Sequence, residues 1–308
     1  MTAAVETVRG AGAQAALLPD GRLHLQEGPI DLVIGAEGAG EAVRRAYTSA
    51  ARRFGGLLAG LVGELPGLRA WLGDTPPIFA DPVAGRMLAA TWPHRARGLS
   101  PMAAVAGAVA DAVLAATMEE PGLAKAWVND GGDIAFHLTP GTTMRVALVP
   151  DPAVARAVGT VAVDAASPVR GVATSGAGGR SFSLGIADSV TVLAGSAAAA
   201  DAAATLIADA VDVDDPSIAR RPARELDPDT DLGDRPVTVS VGPLAPGAIA
   251  AALDAGEAVA RAMIEEGTIA AACLVLRGEA RTIGITPAGA IGNEEREGQG
   301  WNRGSASW

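Results

Sequence analysis

The sequence predicts a layered α/β protein of the α+β kind, and three observations carry that expectation. Short apolar and β-branched runs recur with Gly, Pro or Asp between them, the pattern of strands joined by tight turns. Between those runs lie a few longer stretches with helical spacing, two of them rich in alanine. The 308 residues are 49% hydrophobic but only 3% aromatic. The core is therefore expected to be built from Ala, Val, Leu and Ile, whose small side chains let helices lie close to a sheet.

Taken in order, Ala15–Leu18 and Arg22–Gln26 read as strands flanking Pro19-Asp20-Gly21, where Pro presets φ and Gly permits a positive φ. Pro29–Gly35 reads as a third strand and Glu41–Leu61 as one helix. Asp74–Pro77 breaks the pattern, and Pro82–Thr91 reads as a short helix. Ser100-Pro101 is a helix start, with Ser as cap and Pro at the first helical position; that helix runs to about Met118. Ala124–Val128, Ile134–Leu138 and Met144–Val149 look like a meander. Val161–Val163, Gly171–Ala173 and Ser189–Leu193 are further strands, and Ser196–Val211 is the second alanine-rich helix. Residues 212–233, acidic and Pro-containing, read as an irregular excursion. Val237–Val241, a helix over Pro246–Ile264, and strands over Ala270–Arg277 and Arg281–Ile285 close a single domain spanning residues 1–290. Residues 291–308, polar and Gly-rich, read as a disordered tail.

The bulk numbers exclude several functions. A formal charge of −11 argues against nucleic acid, which needs a basic stripe, and against an anionic membrane surface. Arg44, Arg45, Arg52 and Arg53 read as a solvated helix face. No run reaches the roughly 20 apolar residues of a membrane helix, and the start lacks the features of a signal peptide, so a cytoplasmic protein is expected. Cys273 is the single cysteine and sits in an apolar run, where a small buried hydrophobe is expected. His24, His94 and His137 have no metal-ligand spacing; His94 reads as a surface loop residue. Apolar strands and small-residue helices would suit a homodimer seam.

Three constellations could carry chemistry. In Asn129-Asp130-Gly131-Gly132-Asp133 the glycines let backbone amides approach a ligand, although hairpin chemistry accounts for the same residues. In Thr174-Ser175-Gly176 through Arg180, a strand runs into hydroxyls, glycines and an arginine, a loop able to offer N–H groups and a guanidinium fork to an anion. Its spacing is neither that of a Walker loop nor of a dinucleotide fingerprint. Asp201 and Thr205, four apart, share one helix face, and a carboxylate with a hydroxyl suits Mg²⁺.

In order, Gly131-Gly132-Asp133-Ile134, Ala173-Thr174-Ser175-Gly176, Ser189-Val190-Thr191-Val192 and Asp201 with Thr205 resemble the ApbE superfamily, which contains the Mg²⁺-dependent FAD:protein FMN transferases. Ser100 through Asp111 and Glu225 through Asp234 resemble a cytosolic branch of that superfamily made up of uncharacterised, UPF-type proteins. The resemblance covers roughly Gln14 to Ile285. It implies an ApbE-like fold with mixed sheets, in which the two alanine-rich helices line one cleft. It further implies Mg²⁺ on Asp201, Thr205 and a backbone carbonyl near Ala103. FAD or FMN would lie beside Asn129, Gly131, Gly132, Asp133, Thr174, Ser175, Gly176 and Arg180. Two departures stand out. The transferases carry Ala-Lys-Gly where this chain has Ala106-Gly107, and a histidine segment where it has Phe182 through Asp188. The sequence therefore leaves three readings open: a Mg²⁺-dependent transferase or hydrolase acting on a nucleotide, a non-catalytic module for a flavin, pterin or one-carbon cofactor, and a structural subunit. It assigns no catalytic residue.

Overall fold

The computed structural model describes residues 12–148, 159–179 and 181–284. Its centre is a nine-stranded sheet. The strands are β1 (Gln14–Leu17), β2 (Leu23–Glu27), β3 (Ile30–Gly38), β4 (Leu123–Asp130), β5 (Asp133–Leu138), β6 (Thr143–Leu148), β7 (Gly159–Asp164), β8 (Gly171–Ser175), β9 (Ser189–Ala194), β10 (Ile218–Pro222), β11 (Pro236–Val241), β12 (Ala271–Leu276) and β13 (Glu279–Ile283). In space the central order is β1-β2-β3-β4-β5-β8-β9-β12-β13, while β6 pairs only with β7 and β10 only with β11. Every described pairing is antiparallel. The helical insertions between β3 and β4 and between β9 and β12 bring the chain back into the sheet at the end where it left, so these neighbours pair antiparallel.

The helices are α1 (Gly40–Phe54), α2 (Leu57–Gly63), α3 (Leu65–Arg69), α4 (Pro82–Thr91), α5 (Val105–Thr117), α6 (Ala197–Ala210), α7 (Ala223–Leu226) and α8 (Pro246–Glu265). The single helix expected over Glu41–Leu61 is two, because Gly56 takes φ +82, a left-handed conformation that interrupts the ladder. The expected excursion over 212–233 contains β10 and α7, which fold back on β11. Its acidic side chains obscured a two-stranded ribbon whose stability comes from pairing rather than composition. The expected meander holds for β4 and β5, but β6 leaves the sheet. The ends of Met144–Val149 and Arg281–Ile285, Arg180 and the tail at 291–308 lie outside the described residues. No helix among the described residues is long and apolar enough to cross a membrane.

Both faces of the sheet are covered. On one, Val128 and Ala135 meet Ala108, Val109 and Ala198 from α5 and α6, and Val190 and Val192 meet Ala203, Ile207 and Leu253. On the other, Phe136, Val172, Leu193 and Cys273 pack against Met144, Val146, Val161 and Val163 of the β6–β7 ribbon. Cys273 is buried there, as its apolar setting predicts, and burial pushes its thiol pKa up. Alanine lets α5 and α6 press onto the first face. Gly107 has no room for a β-carbon, which would stand 2.3 Å from the Ala197 carbonyl oxygen.

Near the far end of α6, Asp209 fixes the loop before β9. Its Oδ1 accepts from Leu184 N at 2.8 Å and Ser183 Oγ at 3.2 Å. Burial outweighs these bonds and pushes its pKa up to about 6. The folded protein therefore holds a proton there that the unfolded chain, near 3.8, has released. More protons bound in the folded state means stability falls as pH rises between those values. Denaturant titrations from pH 4 to 7 should show that decline, and Asp209→Asn should make it shallower; an unchanged slope in the variant would remove Asp209 as a source of it.

Candidate functional site

The site begins with a break in a helix. Ser100 caps the segment, its Oγ accepting from Met102 N at 3.2 Å and donating to Asp231. Pro101–Ala104 forms one 3₁₀ turn, and Ala104, at φ −131 and ψ 17, interrupts it so that α5 starts anew at Val105. The first amides of α5 thus have no partner within the helix. Asp201 of α6 supplies one: its Oδ2 accepts from Gly107 N at 3.0 Å. In an unbroken helix the Gly107 amide would have bonded the Ala103 carbonyl.

The relation is reciprocal. Asp111 of α5 accepts from Ala197 N at 3.1 Å and Ala198 N at 3.0 Å, the opening amides of α6. Each alanine-rich helix therefore carries the aspartate that caps the other, where the helix dipole favours negative charge. Gly107 and Gly171 admit this approach; a β-carbon on Gly171 would stand 2.0 Å from the Ser196 carbonyl carbon. Removing the Asp111 carboxylate would leave two buried amides unbonded. Asp111→Ala should cost about 2–3 kcal/mol of stability in denaturant titration, and a cost near zero would show that the clamp is not needed.

Asp201 bears an unusual electrostatic load. Burial pushes its pKa up to about 7, against the amides of Gly107 and Ala106, and the charges of Asp130 and Asp111 raise it further. Asp111 is itself raised by burial, opposed by the Ala198 and Ala197 amides. Asp130 is buried at 6% exposure. Neither Asp130 nor Asp111 stands among the site residues expected from sequence. The signal for Asp130 was its parity: it follows Ala126 and Val128 at the inward positions of β4, where a carboxylate is out of place.

The register shows how the expected residues divide. Asp130 pairs with Asp133 across the two-residue turn Gly131-Gly132, and Asn129 pairs with Ile134. Asp130 and Asp133 share the face that carries α6, and Ser175 falls on the same side. Asn129 and Thr174 fall on the opposite face. Asn129 caps its own hairpin, its Oδ1 accepting from Gly132 N at 2.8 Å. Thr174 Oγ1 bonds Thr191 Oγ1 at 2.9 Å. Their side chains thus serve the sheet, while the Thr174 amide turns inward to Asp133 Oδ1 at 3.2 Å, joining the first two constellations. Gly131 and Gly132, at φ +63 and +118, close the hairpin. Gly176, at φ +146, leaves the strand against Asp188 and Ser189. Thr205 lies one turn beyond Asp201, and among the described residues its hydroxyl makes no hydrogen bond. Asn129→Ala should cost about 1 kcal/mol of stability and leave ligand affinity unchanged; a tenfold loss of affinity would return its amide to the binding site.

His94 is not on the surface. It lies 2% exposed in a 3₁₀ turn, with Nδ1 unbonded among the described residues. Burial lowers its pKa, helped by Arg97. The turn folds inward because Thr91 and Leu99 on either side are themselves buried.

An antiparallel sheet covered on one face by two mutually capped alanine-rich helices, with buried carboxylates where they meet the sheet, defines a layered α/β protein. The chain belongs to the family described as AbpE bacteria, which matches residues 15–282. A UPF0280 protein of Methanopyrus kandleri is 39% identical over 130 residues, 42% of this chain and 50% of that protein. A UPF0280 protein of Methanospirillum hungatei is 34% identical over 142 residues, 46% and 56% of the two chains. The chain thus spans about half the length of the curated relatives it matches. Among solved structures, the ApbE protein of Thermotoga maritima is 14% identical, covers 87% of this chain and 96% of its own, and gives a TM-score of 0.43. The flavin transferase ApbE of Vibrio cholerae is 14% identical, with 88% and 97% covered and a TM-score of 0.41.

Proposed function

We propose that this protein binds a flavin nucleotide through a divalent cation held by Asp201, Thr205 and the Ala103 carbonyl. The observation that supports the reading is the helix start: the Asp201 carboxylate accepts the Gly107 amide, whose partner in an unbroken helix would be the Ala103 carbonyl. The donor set is three oxygens, which suits a hard cation such as Mg²⁺ that keeps several waters. The flavin part rests on family membership and on the ordered motifs Gly131–Asp133, Thr174–Gly176 and Asp201–Thr205. When bound, the cation would neutralise charge on a pyrophosphate. Asp130 and Asp133 would keep the cleft negative, so that an anionic nucleotide enters only with its metal.

The residues present favour binding over flavin transfer. Ala106-Gly107 offers no lysine, and Phe182 through Asp188 no histidine. Asp201 is the titratable group best placed to hold a proton near neutral pH. A cytoplasmic setting fits this reading. The test is FAD titration followed by flavin fluorescence, with Mg²⁺ or with chelator. At least tenfold tighter binding with Mg²⁺ is expected. Equal binding in both would remove the cation, and binding of a pterin but of no flavin would reassign the ligand.

A further inference from the structure

Two adjoining cavities lie away from the carboxylate cleft, of about 390 Å³ and 210 Å³, and Val241 and Arg277 line both. Together they form one groove. Its broader part is apolar, with Pro243, Leu244 and Ile249 on its walls. Its narrower part is polar, lined by Gly178, Asp188, Thr238 and Ser240 among others.

Arg277 sits at the junction in an unusual backbone state. It occupies the turn between β12 and β13 at φ +50, and among the described residues no other non-glycine residue has a positive φ. Surrounding bonds hold it there. Its amide donates to Asp188 Oδ2, and its Nη2 donates to the carbonyls of Val241 and Gly242. Among the described residues no carboxylate lies within ion-pair distance of its guanidinium. Asp188 meets the turn through the backbone amide. The Nε and Nη1 hydrogens therefore remain as donors on a positively charged plane whose orientation two carbonyls fix. Nearby, Thr238 Oγ1 is buried with no hydrogen-bond partner, and Ser240 is exposed on the same strand.

With Gly278 at φ +83 beside it, Arg277 completes a two-residue hairpin turn whose central residues both take positive φ, which fixes where its side chain leaves the backbone. An arginine whose position is fixed by neutral carbonyls keeps its charge for a ligand. We infer that this groove binds a small organic anion, its acid group on Arg277 and its apolar body against Leu244 and Ile249. The shared chemistry is that of a carboxylate or a phosphate monoester. The inference stands independently of the cation and flavin reading, because Arg277, Leu244 and Ile249 take no part in that site. Gly178 connects the two places: it lines the groove and lies on the loop that leaves β8 after Gly176.

The experiment uses the full chain, with phenyl phosphate and phenylacetate as anionic probes and phenylacetamide as the neutral one, followed by ligand-observed NMR titration. One or both anions should bind at least tenfold more tightly than the amide, and which one does identifies the acid group. Arg277→Asn keeps a residue tolerant of the left-handed turn, and it should weaken anion binding at least tenfold. Should that variant fail to fold, Leu244→Asp, which puts a charge on the apolar wall and leaves the turn intact, should weaken all three probes, the anions most. Binding of neither anion, anion binding no tighter than the amide, or undiminished anion binding in the folded variants would overturn the inference.

Discussion

Asp201→Asn is expected to abolish cation-dependent nucleotide binding while leaving the protein folded. The asparagine carbonyl can still accept the Gly107 amide, now at 3.0 Å from Asp201 Oδ2, so α5 keeps its cap. What is lost is the anionic ligand. Affinity for FAD in the presence of Mg²⁺ should fall at least about 100-fold, roughly 2.7 kcal/mol. The same change removes a buried carboxylate that Asp130 and Asp111 repel. At pH 8, where the wild-type group is largely ionised, the metal-free variant should unfold at a higher temperature than wild type, the pattern of a site kept for function at some cost to stability. Both arms are read by thermal unfolding with and without FAD and Mg²⁺. A variant that binds FAD with Mg²⁺ as wild type does would remove Asp201 from the site.

Gly107→Ala should damage the fold through a single methyl group. The new β-carbon would lie 2.3 Å from Ala197 O, 2.5 Å from Ala197 C and 2.6 Å from Ala198 N. All three are backbone atoms at the start of α6, so no rotamer change relieves the clash. The helices must separate, and the two aspartate caps lengthen together. Such overpacking should cost about 3 kcal/mol, roughly 5 °C in the melting temperature for a chain of this size. Gly85 is the control. It lies within α4, and a methyl group there would meet nothing within 4 Å. Gly85→Ala should stabilise by up to about 1 kcal/mol through helix propensity. If both substitutions behave alike, the close approach of α5 and α6 is not what the glycine serves.

Much of the architecture is legible in the sequence because it rests on local signals. Ser100-Pro101 marks a helix start by capping chemistry alone, and Pro82–Thr91 is α4 to the residue. The strands from Gly171 to Leu193 show as apolar runs. What is not legible is set by tertiary context. Gly55-Gly56 ends α1 in the middle of a continuous helical pattern. The ribbon pairs β11, expected as a strand over Val237–Val241, with β10, whose Ala219-Arg220-Arg221-Pro222 composition disfavours one.

The site divides along the same line. Asp133, Thr174 and Asp201 are recognisable by motif, and the structure joins Asp133 to the Thr174 amide. Yet strand parity sends the side chains of Asn129 and Thr174 to the far face, and a motif read as a string carries no record of which face each residue takes. Asp111 shows in the sequence only as an interruption in an apolar helix. Its bond to the opening of α6, 86 residues away along the chain, is a property of the packed pair.

Crystals soaked with Mn²⁺ and FAD, measured at the manganese absorption edge, test the central claim most directly. A single anomalous peak is predicted at roughly 2.1–2.3 Å from an Asp201 carboxylate oxygen, Thr205 Oγ1 and the Ala103 carbonyl oxygen, with the pyrophosphate completing its shell. A peak away from these three oxygens, or ordered FAD with no metal at Asp201, would contradict it.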